Sequence, residues 1–130
     1  MTDIQICPCG STHTYRRCCR PFHKGTAAPT PEALMRSRYS ANALGLTKYL
    51  QATWHTSTRP ADLTLTDNPQ WLKLDVLTAT MEGNDGTVHF KAHFQEGNTT
   101  HCLEEHSRFV REHGRWYYVD GKTSTYSKPQ

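Results

Sequence analysis

Val88-His89-Phe90-Lys91-Ala92-His93-Phe94-Gln95 alternates apolar and polar side chains without a break. Successive side chains of a strand point to opposite faces, so this period of two puts Val88, Phe90, Ala92 and Phe94 on one apolar face. His89, Lys91 and His93 fall on the other face and are expected to meet solvent. Gly83-Asn84-Asp85-Gly86 before the strand and Gly97-Asn98 after it read as turns that fold a neighbour back on either side. Upstream, Leu72, Leu74 and Val76 alternate with polar residues, and Trp71 either closes a short turn or opens the sheet. Downstream, His101 to Arg111 reads as a long strand, Glu112-His113-Gly114 as a turn and Arg115 to Asp120 as the last strand. The tail from Thr123 reads as frayed.

Ahead of this meander the period becomes helical. Thr30 stands as an N-cap, Pro31 at the first helical position and Glu32 in the first turn. Leu34, Met35, Arg38, Tyr39 and Ala41 then form a stripe that ends between Asn42 and Gly45. A second helix is expected over Leu46 to Trp54, with Leu46, Tyr49, Leu50 and Trp54 on one face, until His55 to Pro60 breaks it. Helices followed by antiparallel strands make an α+β arrangement, with the helices packed on one face of a curved sheet.

The N-terminus is organised differently. Cys7-Pro8-Cys9-Gly10-Ser11-Thr12-His13-Thr14-Tyr15-Arg16-Arg17-Cys18-Cys19 holds four of the five cysteines; Cys102 stands apart. Neighbouring cysteines rarely bridge each other, and clustered thiols in a reducing compartment are more often metal ligands. Cys7, Cys9, Cys18 and Cys19 are therefore expected to close a tetrahedral, structural site around one zinc, with no position left for a catalytic water. Ser11 is expected to cap a helical turn from Thr12 to Arg17 that returns Cys18 to the metal. Arg16 and Arg17 would offset the negative charge of four thiolates. Residues 20–30 read as a linker, which divides the chain into a knuckle at 1–24 and an α+β domain at 25–130.

With 15 basic and 12 acidic side chains the formal charge is +3, far from that of a dedicated nucleic-acid binder. A mean hydropathy of -0.74 is polar, but 10% aromatic residues supply a core. No stretch approaches the ~18 apolar residues of a membrane span, and the N-terminus lacks the pattern of a secretory signal. A cytoplasmic protein with no membrane insertion is expected.

CPCGSTHTYRRCC resembles the SEC-C motif, the zinc module at the C-terminus of the SecA translocation ATPase, with Thr12, His13 and Thr14 where that family prefers Gly-Lys-Lys. ALMRSRYSANALGLTKYLQATWHTSTRP and SRFVREHGRWYYVDG resemble the YchJ-like bacterial family. Its members join a SEC-C motif to a domain similar to the cone of nuclear transport factor 2. This resemblance implies a sheet curled around a cavity, dimerisation through the open sheet face and a knuckle that contacts a protein partner.

Candidate cavity residues are Arg38, Tyr39, Trp54, His55, Arg59, His93, His106, Arg108 and Trp116. Arginines near a cone mouth suit a carboxylate or phosphate. An enzyme would need a carboxylate paired with a histidine inside the cone, and Asp75, Glu82, Asp85 and Asp120 sit at strand ends or turns with no evident histidine partner. The fold alone does not decide between enzyme and binder. The resemblance to the SecA zinc module implies a non-enzymatic adapter whose knuckle meets a protein partner and whose cone takes a small ligand or peptide. An enzyme of the cone pocket and a weak RNA or ribosome binder using Arg16, Arg17 and Arg20 are the alternatives.

Overall fold

Thr30 starts the principal helix through its side chain: Oγ1 accepts a hydrogen bond from the Ala33 amide at 3.0 Å, replacing one of the partners that a helix start leaves unmade. The computed structural model describes residues 5–63 and 69–127. A 3-10 turn covers Tyr15–Arg17, followed by helices α1 (Arg20–His23), α2 (Pro31–Leu44) and α3 (Thr47–Ala52). Strands β1 (Gln70–Glu82), β2 (Asp85–Glu96), β3 (Thr99–Glu112) and β4 (Arg115–Ser127) form one antiparallel sheet in the order β1-β2-β3-β4. Among the described residues no helix is long and apolar enough to cross a membrane.

α2 lies on the inner face of the sheet. Leu34, Met35 and Tyr39 are buried there with Leu74, Val88, Phe90, Ala92 and Phe109, so the alternation of β2 does form the core. Backbone bulges curve the sheet. On β1, Leu72 and Leu77 are skipped in the pairing with β2, because Trp71 faces Phe94 while Lys73 faces His93, and Val76 faces Phe90 while Thr78 faces His89. An extra residue bends the strand and shifts the phase of its side chains. Leu72 is thus 45% exposed and Trp71 turns inward to meet Tyr39 and Phe94, which corrects the expected Leu72, Leu74, Val76 face.

Other boundaries differ for equally local reasons. α3 ends at Ala52 rather than Trp54, because the next backbone groups bond to β4: the Tyr118 amide donates to the Thr53 carbonyl at 2.8 Å and the His55 amide to the Tyr118 carbonyl at 2.7 Å. The stretch expected as a linker contains α1. The tail continues β4 to Ser127, opposite His101 on β3, since the long third strand offers partners that far.

Candidate metal centre and cone cavity

The knuckle, a candidate metal site, is first of all a small ladder. Ile6 and Thr14 form an antiparallel bridge, and the Cys7 amide donates to the His13 carbonyl at 2.9 Å. Gly10 takes φ 83°, a left-handed turn that glycine adopts without strain. Thr12 is also left-handed, at φ 72°, so no helix starts at Ser11. The Ser11 hydroxyl instead lies 3.0 Å from the Cys18 sulfur and accepts from the His13 amide. That corrects the expected cap and leaves only Tyr15–Arg17 as a turn.

One ligand atom from each of Cys7, Cys9, Cys18 and Cys19 lies within 4.8 Å of all the others. Zinc–sulfur bonds of ~2.3 Å at tetrahedral angles place sulfurs ~3.8 Å apart. Cys9 to Cys18 at 3.5 Å and Cys18 to Cys19 at 4.0 Å bracket that spacing, so the four side chains fit a tetrahedral divalent metal. Their proton affinities agree. Hydrogen bonds from the Cys19 and Cys7 thiols hold Cys9 far below the ordinary thiol range. Hydrogen bonds with Cys7 and then Cys9 push Cys19 up, and burial pushes Cys18 up to about 11. A Cys9 thiolate beside the protonated thiols of Cys18 and Cys19 makes a cluster whose protons a cation displaces.

The knuckle is docked on α2. The Ser40 hydroxyl lies 3.4 Å from the Cys7 sulfur and 3.3 Å from that of Cys19. Arg36 donates to the Cys9 carbonyl at 2.9 Å while its Nε pairs with Glu32. His23 joins the two sides: its Nε2 meets the Ser37 carbonyl at 2.8 Å, and its Nδ1 the Tyr15 hydroxyl at 2.7 Å. A carbonyl only accepts, so Nε2 carries the proton and Nδ1 accepts from Tyr15. His13 is exposed, as are Arg16, Arg17 and Arg20. Arg16 and Arg20 border a shallow groove beside Gln5 and Tyr15.

On the opposite side of α2 lies a cavity of about 200 Å³. Arg38 and Tyr39 reach it from α2, Trp54 from beyond α3, and Trp71, Phe90, Leu103, Glu105, Ser107, Phe109 and Tyr118 from the sheet. Its polar end is built from few groups. Glu105 Oε2 accepts from the Ser107 hydroxyl at 2.7 Å and from the Tyr118 phenol at 2.8 Å. Gly121 makes room for this carboxyl, which a Cβ there would overlap. Arg38 donates to the Leu50 carbonyl at 2.8 Å and to Thr53 Oγ1 at 2.7 Å, with its guanidinium over the rings of Trp54 and Tyr118. Burial lowers Arg38 to about 10, so it stays cationic at neutral pH. Burial, then Glu105, pushes the Tyr118 phenol up.

Of the residues expected in the cavity, the structure brings together Arg38, Tyr39 and Trp54. His55 and Arg59 do not line the cavity: His55 bonds Glu112 at 2.9 Å, and Arg59 is exposed and donates to the Trp54 carbonyl. His106 and Arg108 point to the outer face of β3; Arg108 is bound at both nitrogens to Asp120, at 2.7 and 2.8 Å. Trp116 is buried on the inner face away from this cavity, beneath Arg111. His93 lies on the outer face, but only 7% exposed, bonded to Asp75 at 3.0 Å; this corrects both its expected exposure and the expectation that Asp75 has no histidine partner. His89 likewise pairs with Glu104, at 2.6 Å. Sequence reasoning missed Glu105, Ser107 and Tyr118. The signal for the first two was parity, since odd positions of β3 share a face with Phe109.

A meander curled around a cavity under one helix, with a four-cysteine knuckle on that helix, defines a cone of the nuclear transport factor 2 type carrying a SEC-C motif. Residues 30–121 match the family described as YchJ, middle NTF2-like domain, and residues 5–21 match the SEC-C motif. The chain belongs to this YchJ-like family, whose relatives bear the name UPF0225 protein. It is 47% identical over 125 residues to a UPF0225 protein of Xanthomonas campestris, a match covering 93% of this chain and 97% of the relative. The solution structure of a SEC-C motif containing protein from Rhodopseudomonas palustris superimposes with a TM-score of 0.84 at 36% identity, covering 91% of this chain and 98% of the other. The crystal structure of a SEC-C motif containing protein from Psychrobacter arcticus gives 0.79 at 28% identity, covering 94% and 84%.

Proposed function

We propose that the protein is a non-enzymatic adapter in which one structural zinc, held by Cys7, Cys9, Cys18 and Cys19, fixes a partner-binding knuckle against a ligand-binding cone. The observation that carries this reading is the shared helix. Ser40 and Arg36 of α2 touch the knuckle, and Arg38 and Tyr39 of the same helix line the cavity. The exposed Arg16, Arg17 and Arg20 suit an acidic surface on a protein partner. The cavity is smaller than the ~300–1,000 Å³ of drug-sized sites, so it suits a single ring or one peptide side chain, with Arg38 as the cation to meet an acceptor.

The composition of the lining favours binding over catalysis. Among the described residues no histidine borders the cavity, and its one carboxyl, Glu105, is engaged by Ser107 and Tyr118. The test is capture of partners on immobilised protein. The adapter reading expects capture to be lost in Cys18→Ser and in Arg16→Glu/Arg20→Glu, and kept in Arg108→Ala. Retained capture by the charge-reversed variant with its zinc in place would overturn it. Salt-sensitive retention of RNA alone would favour the nucleic-acid alternative.

A further inference from the structure

The outer face of the sheet carries a second constellation, remote from the thiols in chemistry. His89 on β2 and His106 on β3 are directly opposite in the strand register. Their rings stack 3.7 Å apart at 16°, nearly parallel. Glu104 is two residues before His106 on β3 and therefore on the same face, with its carboxylate 2.6 Å from His89 Nε2. One ligand atom from each of the three lies within 4.8 Å of the other two.

The geometry points to a second metal site here, in which His89, Glu104 and His106 bind a divalent late first-row ion such as nickel(II) or zinc(II). Two imidazoles and one carboxylate are the donor set such ions take, and three protein ligands leave coordination positions open to water or to an added ligand. Metal–nitrogen bonds of ~2.0–2.1 Å require donor atoms about 3 Å apart. The remaining closure falls to side chains with freedom to turn: His89 is 23% and Glu104 29% exposed, and His106 is exposed. In the stacked arrangement the in-plane lone pairs of the two rings run nearly parallel, so binding requires the exposed His106 ring to turn until its nitrogen converges with those of His89 and Glu104 on one point. Glu104 is held below the usual carboxylate range, first by the His89 bond and further by Lys91, its register partner. Lys91 is the local competitor for Glu104. Because the donors are nitrogen and oxygen, the site differs in selectivity from the four-sulfur knuckle.

The experiment uses the full chain without a histidine tag, with its knuckle loaded with one equivalent of zinc. Nickel(II) is added and followed by calorimetry and by paramagnetic broadening of amide resonances. The expected result is one further equivalent, with broadening centred on His89, Glu104 and His106. His106→Ala is expected to weaken it at least about tenfold, since even loss of a supporting second-shell group costs that much, while the knuckle zinc is retained. His55→Ala, at the separate His55–Glu112 pair, is expected to leave the affinity unchanged. Absence of a saturable second equivalent, equal affinity in His106→Ala, or broadening centred on His55 would each overturn the proposal. Loss of the knuckle zinc in Cys18→Ser bears on the adapter reading alone, so the two fail separately.

Discussion

The hydroxyl of Ser40 lies 3.3 Å from the sulfur of Cys19, so the helix that roofs the cone cavity is also one wall of the four-cysteine cluster. Cys7, Cys9 and Cys19 are buried in the same core as Leu34, Tyr39 and Phe90. Metal bound only by the folded chain then stabilises the whole of it, not just its first residues.

Removal of the metal is therefore expected to lower the unfolding temperature of the entire chain in one transition. Metal at ~100 times its dissociation constant contributes about 2.7 kcal/mol. For a chain of this length that corresponds to a fall on the order of 10 °C. Calorimetry with and without chelator checks this. Two separate transitions, with the sheet melting unchanged, would show the knuckle to be energetically independent.

Gly121→Ala is expected to destabilise the protein by about 1–3 kcal/mol, as overpacking does, because its Cβ would overlap the Glu105 carboxyl. Glu105→Ala is expected to cost a similar ~1–3 kcal/mol through the hydroxyls of Ser107 and Tyr118 left without their acceptor. The double variant removes the collision along with the carboxyl, so its cost should fall short of the sum. Urea denaturation of the three variants measures the coupling, and strict additivity would refute the contact.

What was legible in the sequence follows from how many independent signals agree. The cysteine spacing, the Thr30-Pro31-Glu32 start of α2 and the alternation of β2 each have one consistent reading, and the structure contains the corresponding knuckle fold, helix and strand. β3 does not: Cys102 and Val110 mark one parity as apolar, Leu103 and Phe109 the other. Packing against α2 selects the odd positions, which turns Glu105 and Ser107 inward and His106 and Arg108 outward. The bulges at Leu72 and Leu77 were equally hidden, because a skipped residue leaves no compositional trace in a single strand.

The half-buried imidazole of His23 makes stability depend on pH. Burial lowers its affinity for a proton below the ordinary value of 6.5, against the smaller opposing effect of the Ser37 carbonyl. As pH falls below about 6.5 the unfolded chain takes up a proton that the folded chain refuses. The contribution is thus present above that value and is lost progressively below it. His23→Gln carries no such titration. The stability gap between wild type and this variant is expected to be widest near neutrality and to narrow on acidification to about pH 5.5, read by urea titrations of the metal-loaded proteins. A gap that widens on acidification would contradict the neutral, Tyr15-accepting state of His23.

Leu72 and Leu74 are two residues apart on one strand, and an unbroken strand would bury both or neither. Leu72 is 45% exposed and Leu74 only 6%, because the bulge between Trp71 and Lys73 adds one residue to the count. Leu72→Lys is then expected to change stability by no more than about 0.5 kcal/mol, as surface substitutions do. Leu74→Ala is expected to cost about 2–5 kcal/mol, since it opens a hole beside α2. Trp71→Ala should cost far more than Leu72→Lys, because its ring packs against Tyr39 and Phe94. Denaturant midpoints of the three variants decide the phase of the strand. A severe loss in Leu72→Lys with little change in Trp71→Ala would mean that β1 runs without the bulge, and the cavity wall that Trp71 supplies would then have to come from Leu72.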